Sequence, residues 1–198
     1  MKNDTSLEAL HREMSATCTS TLKTSATNAV LGTGDAAARI VFVGEAPGKK
    51  ESEEGRPFIG ASGKMLDRLL ESVHIKREDV YITNIVKFRP PDNRDPSSTE
   101  IFDCLPWLIA EINLIAPELI VPLGRHALEQ FVPGQKISQA HGKLFQPSTP
   151  EFGHQKIYAM YHPAAAMYNG SLRETLFQDF ARIPKILTSC NHSHPLVT

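Results

Sequence analysis

Four short apolar runs constrain this chain more than any other feature: Ile40 to Val43, Val80 to Val86, Leu119 to Leu123 and Ile157 to Tyr161. Each is about strand length and rich in β-branched or aromatic residues. Between them the apolar residues recur at helical spacing. Lys64 to Val73 places Met65, Leu66, Leu69, Leu70 and Val73 on one face, and Ser98 to Ile115 does the same with Ile101, Leu105, Leu108, Ile112 and Ile115. A short helix is expected near Arg125 and a longer one from Leu172 to Leu187, which Pro184 should kink or end. Strands alternating with helices imply parallel strands joined by right-handed crossovers. The expectation is an α/β domain of three layers, α/β/α, around a central four-stranded parallel sheet.

The chain has 198 residues, enough to bury one substantial core, and the domain is expected over 1–188 with a polar tail over 189–198. A formal net charge of -1 gives no global attraction to nucleic acid, so any such affinity has to come from local patches. No apolar run approaches the roughly 20 residues of a membrane span. The first residues lack the apolar core of a signal peptide. Three widely spaced cysteines, Cys18, Cys104 and Cys190, do not read as a disulfide framework. They suit a reducing compartment, and a cytoplasmic protein is expected.

In parallel sheets of this kind the ligand sits at the carboxyl ends of the strands. The residues there are Gly44-Glu45, Asn84 with Lys87 to Arg94, Gly124-Arg125, and His162-Pro163. Gly44 and Gly48 allow a tight turn and a close approach of backbone amides to a ligand. Glu45 either holds a water or acts as a base, or else caps a helix or pairs with a lysine. His162 precedes Pro163-Ala-Ala-Ala166, a helix start, which favours a neutral imidazole able to donate to an anion. A satisfied core histidine is the plainer alternative. Asn84 interrupts an apolar strand and offers one donor and one acceptor, either to a base edge or to a neighbouring loop. Phe58 is a stacking surface for a base or a core aromatic.

In order along the chain, "GEAPG", Glu51, "GRPF", "SGKML", "TNIVK", "RPP", "NR" and "HPAA" resemble the uracil-DNA glycosylase superfamily, and within it family 4, from about Cys18 to Phe180. The resemblance implies that fold and a monofunctional enzyme of base-excision repair that extrudes uracil from DNA and hydrolyses its glycosidic bond. It implies that Glu45 handles the attacking water and His162 stabilises the departing base. Gly44, Ala46, Gly48, Glu51, Phe58 and Asn84 would line the base pocket, with Glu51 near uracil C5. Ser62, Gly63 and Lys64 would cradle a phosphate, Lys87, Arg89 and Arg94 would add backbone contacts, and Met167 or Tyr168 would wedge the duplex. The implied partner is uracil-containing DNA, single- or double-stranded, met by a monomer, in the nucleoid if the cell is bacterial. No membrane partner is expected.

The sequence departs from the family at its cofactor. Relatives hold a [4Fe-4S] cluster through four cysteines. Here Cys18 and Cys104 fit two positions, while Thr21 and Phe88 stand at the others. The expectation is a protein with no cluster and no other metal, in which Phe88 packs into apolar surroundings. The tail set Cys190, His192 and His194 is not expected to bind zinc. Two other classes stay open: a non-catalytic DNA- or uracil-binding module of the same fold, and an α/β enzyme of free nucleosides.

Overall fold

The computed structural model describes residues 2–148, 150–153 and 155–190. The elements, in order, are α1 (Lys2–Thr17), β1 (Thr33–Gly34), β2 (Ile40–Gly44), α2 (Lys49–Glu54), α3 (Ala61–Ser72), β3 (Tyr81–Asn84), α4 (Ser98–Ile115), β4 (Leu119–Pro122), α5 (Arg125–Phe131) and α6 (Ile137–Ala140). They continue with β5 (Leu144–Phe145), β6 (Lys156–Tyr158), α7 (Ala165–Tyr168), α8 (Gly170–Phe180) and α9 (Ile183–Cys190). Among the described residues the sheet has six strands in the order β1-β3-β2-β4-β6-β5.

The four expected strands are its parallel centre. The sheet is nonetheless larger than the four strands expected, because β1 and β5 add antiparallel edges. Each edge strand is two residues long, too short to carry any periodicity in the sequence. Such stubs also blunt the sheet edges against pairing with other chains.

Alternation along β2 divides the core in two. Val41 and Val43 face α1, α4 and α5, while Ile40 and Phe42 face α3, α8 and α9. Helix α4 begins at Ser98, as its apolar spacing predicts, and the structure adds a capping box where Ser97 and Glu100 satisfy each other's backbone amides. The expected helix from Leu172 to Leu187 is two helices. Asn169 caps α8, and Pro184 lies in the first turn of α9, where its missing N–H leaves no bond unmade. Helix α9 runs past the expected boundary at 188, and residues 191–198, which include most of the expected tail, lie outside the described residues. Among the described residues no helix is long and apolar enough to cross a membrane.

Candidate active site

The carboxyl ends of β2, β3, β4 and the β6 strand converge. Gly44 closes β2 directly opposite Asn84, the last residue of β3. A Cβ on Gly44 would stand 2.4 Å from Asn84 Oδ1 and 2.6 Å from the tip of the Phe58 ring. Only glycine lets these three residues meet. Asn84 is 2% exposed, yet among the described residues no group hydrogen-bonds its side-chain amide.

Phe58 is held in the left-handed region, at φ 52°, which is uncommon for an aromatic residue. Two contacts keep it there. Glu51 Oε1, from α2, accepts hydrogen bonds from the amides of Ile59 at 3.0 Å and Gly60 at 2.8 Å. Behind it, a Cβ on Gly63 would stand 1.8 Å from the Phe58 carbonyl oxygen. Gly63 therefore also serves as buried packing for the Phe58 turn, within the first turn of α3 where the phosphate cradle is expected. Ser62 is half-buried and Lys64 exposed at the start of α3. Ala46 and Gly48 are half-buried on the turn between β2 and α2.

His162 follows β6 and packs against Gly124, whose φ of 90° only glycine adopts readily and whose added Cβ would stand 3.1 Å from His162 Cβ. The amide of Ala164 donates to His162 Nδ1 at 3.1 Å. The ring proton of the neutral imidazole is then on Nε2. Burial pushes the imidazole down to about 4. Its ring centroid lies 5.7 Å from that of Phe58.

Glu45 is half-buried at the tip of the turn. Burial raises its carboxyl above the ordinary carboxylate range; His126 opposes that rise, Asp95 adds to it and Arg125 opposes it. His126 Nε2 lies 3.9 Å from Glu45 Oε2 and 3.1 Å from Asp95 Oδ2. Arg125 donates to His126 Nε2 at 2.8 Å and to Asp95 Oδ2 at 2.9 Å. Glu45, Asp95 and His126 bring three ligand atoms within 4.8 Å of one another. The Arg125 guanidinium occupies two of the three, so the set is an ion-pair cluster and a poor cation site. His126 and Asp95 are absent from the sequence reading. The signal for His126 is its place two residues past Gly124 at the end of β4.

The remaining expected contacts divide. Arg89 donates to Asn93 Oδ1 at 2.8 Å, and Arg94 makes a forked pair with Glu100 at 2.8 and 2.6 Å. Met167 and Tyr168 are exposed on α7, Tyr168 by 87%. Lys87 corrects the expectation of a DNA contact: it is 1% exposed and points into the interior.

The sequence model of the uracil DNA glycosylase superfamily matches residues 31–183, which hold all of these strand ends. The chain belongs to that superfamily. Within the uracil DNA glycosylases it is family-4-like. It is 43% identical over 169 residues to a type-4 uracil-DNA glycosylase of Saccharolobus solfataricus, covering 82% of this chain and 77% of that one. To the type-4 enzyme of Archaeoglobus fulgidus it is 41% identical, over 96% of both chains. A Methanosarcina acetivorans protein solved by solution NMR, described as a candidate uracil DNA glycosylase, shares the fold at a TM-score of 0.51 and 11% identity, covering 80% of this chain and 98% of that one.

The cluster positions of a family-4 uracil DNA glycosylase do not fit a [4Fe-4S] group here. Such a cluster takes four thiolates. Cys18 and Cys104 are buried thiols, and burial pushes Cys104 up to about 11, so it is protonated at neutral pH. Thr21 is exposed. Phe88 is 4% exposed and packs in the same core cluster as both cysteines, Met14 and Leu22.

Proposed function

We propose that this chain is a monofunctional uracil-DNA glycosylase, hydrolysing the N-glycosidic bond to leave an abasic site, and that it works without an iron-sulfur cluster. The observation that carries the chemistry is the placement of Glu45 after β2 and His162 after β6, at strand ends on one edge of the sheet. One is a neutral donor and the other an acid partly withdrawn from water.

The flipped uracil stacks on Phe58, and the Asn84 amide reads its N3 and O4 edge. Cytosine presents the reverse order of donor and acceptor and is refused. Glu51 contributes by holding the turn that carries Phe58. As the C1′–N1 bond breaks, the electron pair leaves with the base and positive charge builds on the sugar. His162 Nε2–H donates to O2 and stabilises that anion. Glu45 orients a water onto C1′, and its charge favours the cationic sugar. The water oxygen bonds to C1′ and its proton passes to the Glu45 carboxylate and on to solvent, while the uracil anion takes up a proton from solvent at N1, so that water is added across the broken bond. No covalent enzyme intermediate is formed.

DNA is the partner, and uracil-containing strands are the substrate of a monomer working in the cytoplasm, at the nucleoid if the cell is bacterial. Ser62, Lys64, Arg89 and Arg94 meet the backbone, and Met167 with Tyr168 enters the space left by the base.

The test is alkali cleavage of labelled oligonucleotides with one uracil, single-stranded and opposite G or A, beside a Glu45→Ala control. Cleavage only after alkali, lost in the control, is the expected result. Binding without cleavage would replace the enzyme with a binding module of the same fold. Activity confined to free nucleosides would overturn the DNA substrate.

A further inference from the structure

Lys87 and Glu111 form an ion pair inside the protein, each 1% exposed. The Lys87 ammonium donates to Glu111 Oε2 at 2.5 Å, to Thr83 Oγ1 at 2.6 Å and to the backbone carbonyl of Asn84 at 2.9 Å. All three of its hydrogens are thereby used. Glu111, from α4, also accepts from the Thr83 hydroxyl at 2.9 Å, the Tyr81 hydroxyl at 3.3 Å and the Gly32 amide at 3.4 Å. His11 Nε2 of α1 lies 3.0 Å from its other oxygen. Burial alone would raise the Glu111 carboxyl, but Lys87 and His11 outweigh it and hold it well below the usual range.

The network therefore converges on the strand that ends in Asn84. Stability is a weak reason for such a pair. Taking two charges out of water costs about what their attraction returns, and an apolar pair of similar volume is often as stable. What the pair does secure is a backbone position. The Asn84 side chain has no hydrogen bond among the described residues to set its direction, so that direction follows from its backbone. Gly44 fixes the backbone from one side and Lys87 takes the carbonyl from the other.

We propose that Lys87 is a positioning residue for base recognition: braced by Glu111 and Thr83, it fixes the Asn84 backbone so that the amide meets the base in one orientation. This rests on Asn84 as the residue that reads uracil. Lys87 acts through Asn84 and touches neither base nor phosphate.

A double-mutant cycle tests it. The paired variant K87M/E111L replaces the ion pair with apolar residues of similar volume, in the wild-type and in the N84A background. Single-turnover rates on uracil opposite G are read beside affinity for abasic-analogue DNA at several salt concentrations. The paired variant should lose roughly 10–100-fold in rate. The same change in N84A should cost nothing further. Affinity and its salt slope should stay unchanged. A slope smaller by about one would mark a phosphate contact and overturn the proposal. So would an unchanged rate, or losses that simply multiply with that of N84A. Should the paired variant fail to fold, T83V, which removes only the hydroxyl between Lys87 and Glu111, goes through the same cycle. It should lose roughly 3–10-fold in wild type and nothing in N84A. An N84A protein as fast as wild type would overturn both the reading of Asn84 and this inference; an impaired N84A with multiplicative losses overturns the inference alone.

Discussion

The Ala164 amide and the His162 ring are bonded N–H to Nδ1 at 3.1 Å, which leaves Nε2 as the only donor on the imidazole. The bond is local, between residues two apart, and is set by the turn that Pro163 opens. His162→Ala should lower the single-turnover rate on uracil by about 10²–10³. The wild-type ring should show the Nε2–H tautomer by nitrogen NMR from pH 8 down to about 4, where burial has placed its titration. A protonated ring at pH 6 would contradict the assignment.

In the proposed mechanism Glu45 must be ionised to orient water, and its carboxyl is raised, first by burial and then by Asp95, against His126 and Arg125. Activity should therefore fall on the acid side as Glu45 takes up a proton, at a pH above the ordinary carboxylate value of about 4.3. Variants should move this limb in opposite directions. Arg125→Gln removes a cation and moves it up, while Asp95→Asn removes an anion and moves it down, each by roughly 0.3–0.7 pH unit for partly exposed pairs. Single-turnover rates from pH 4 to 8 measure both. A common shift in one direction would rule out this electrostatic account.

Gly44→Ala places a methyl group where Asn84 Oδ1 and the Phe58 ring already stand. The neighbours have to move, at a cost of about 1–3 kcal/mol in stability. The rate should fall by 10²-fold or more, because both residues proposed to contact the base are displaced. Thermal unfolding and kinetics on one preparation check the two effects together.

Purified protein should carry neither iron nor sulfide in stoichiometric amount. Cys18→Ala and Cys104→Ala should each cost about 1–2 kcal/mol, as loss of a small buried apolar group does. Their glycosylase rates should stay within a few-fold of wild type. Iron analysis and activity after dialysis against chelator decide the matter, and one cluster per chain would defeat the proposal.

The start of α4 offers a stability test remote from chemistry. Ser97→Ala removes the cap and should cost about 1 kcal/mol. The Glu100 carboxyl is held at about 2 by its hydrogen bonds to Arg94, against burial, with the Ser97 amide assisting. Its folded value is depressed, so its contribution is complete above about pH 4.3, where the unfolded carboxyl ionises, and disappears as pH falls toward 2. Glu100→Gln should therefore lower Tm at pH 7 and lose that difference near pH 2.

The parallel centre of the sheet was legible because each of its strands carries a β-branched run, with Ile40 to Val43 alternating between two cores. The edges Thr33–Gly34 and Leu144–Phe145 were not, since two residues have no period. The strand-end rule pointed to Glu45, Asn84 and His162, while their roles came through resemblance to relatives. Lys87 was misread because charge in a loop after a strand ordinarily faces water. Its partner Glu111 lies 24 residues away on a helix, and no local pattern links the two. Asp95 and His126 escaped for the same reason: they meet each other only because β3 and β4 end on the same side of the sheet.

Glu51 gives the site its timing. Its carboxylate ties down the two amides that follow Phe58, and does so in the protein without DNA. The left-handed turn is thus completed when the chain folds, and the aromatic face is already in place before any base leaves the helix. A base swinging out of DNA is a brief visitor that has lost its stacking partners. A wall that had to order itself around such a guest would lose many of them back to the duplex. With Phe58 as the proposed stacking face, the arriving base meets a finished surface, and the time it spends outside the helix is available for bond breaking.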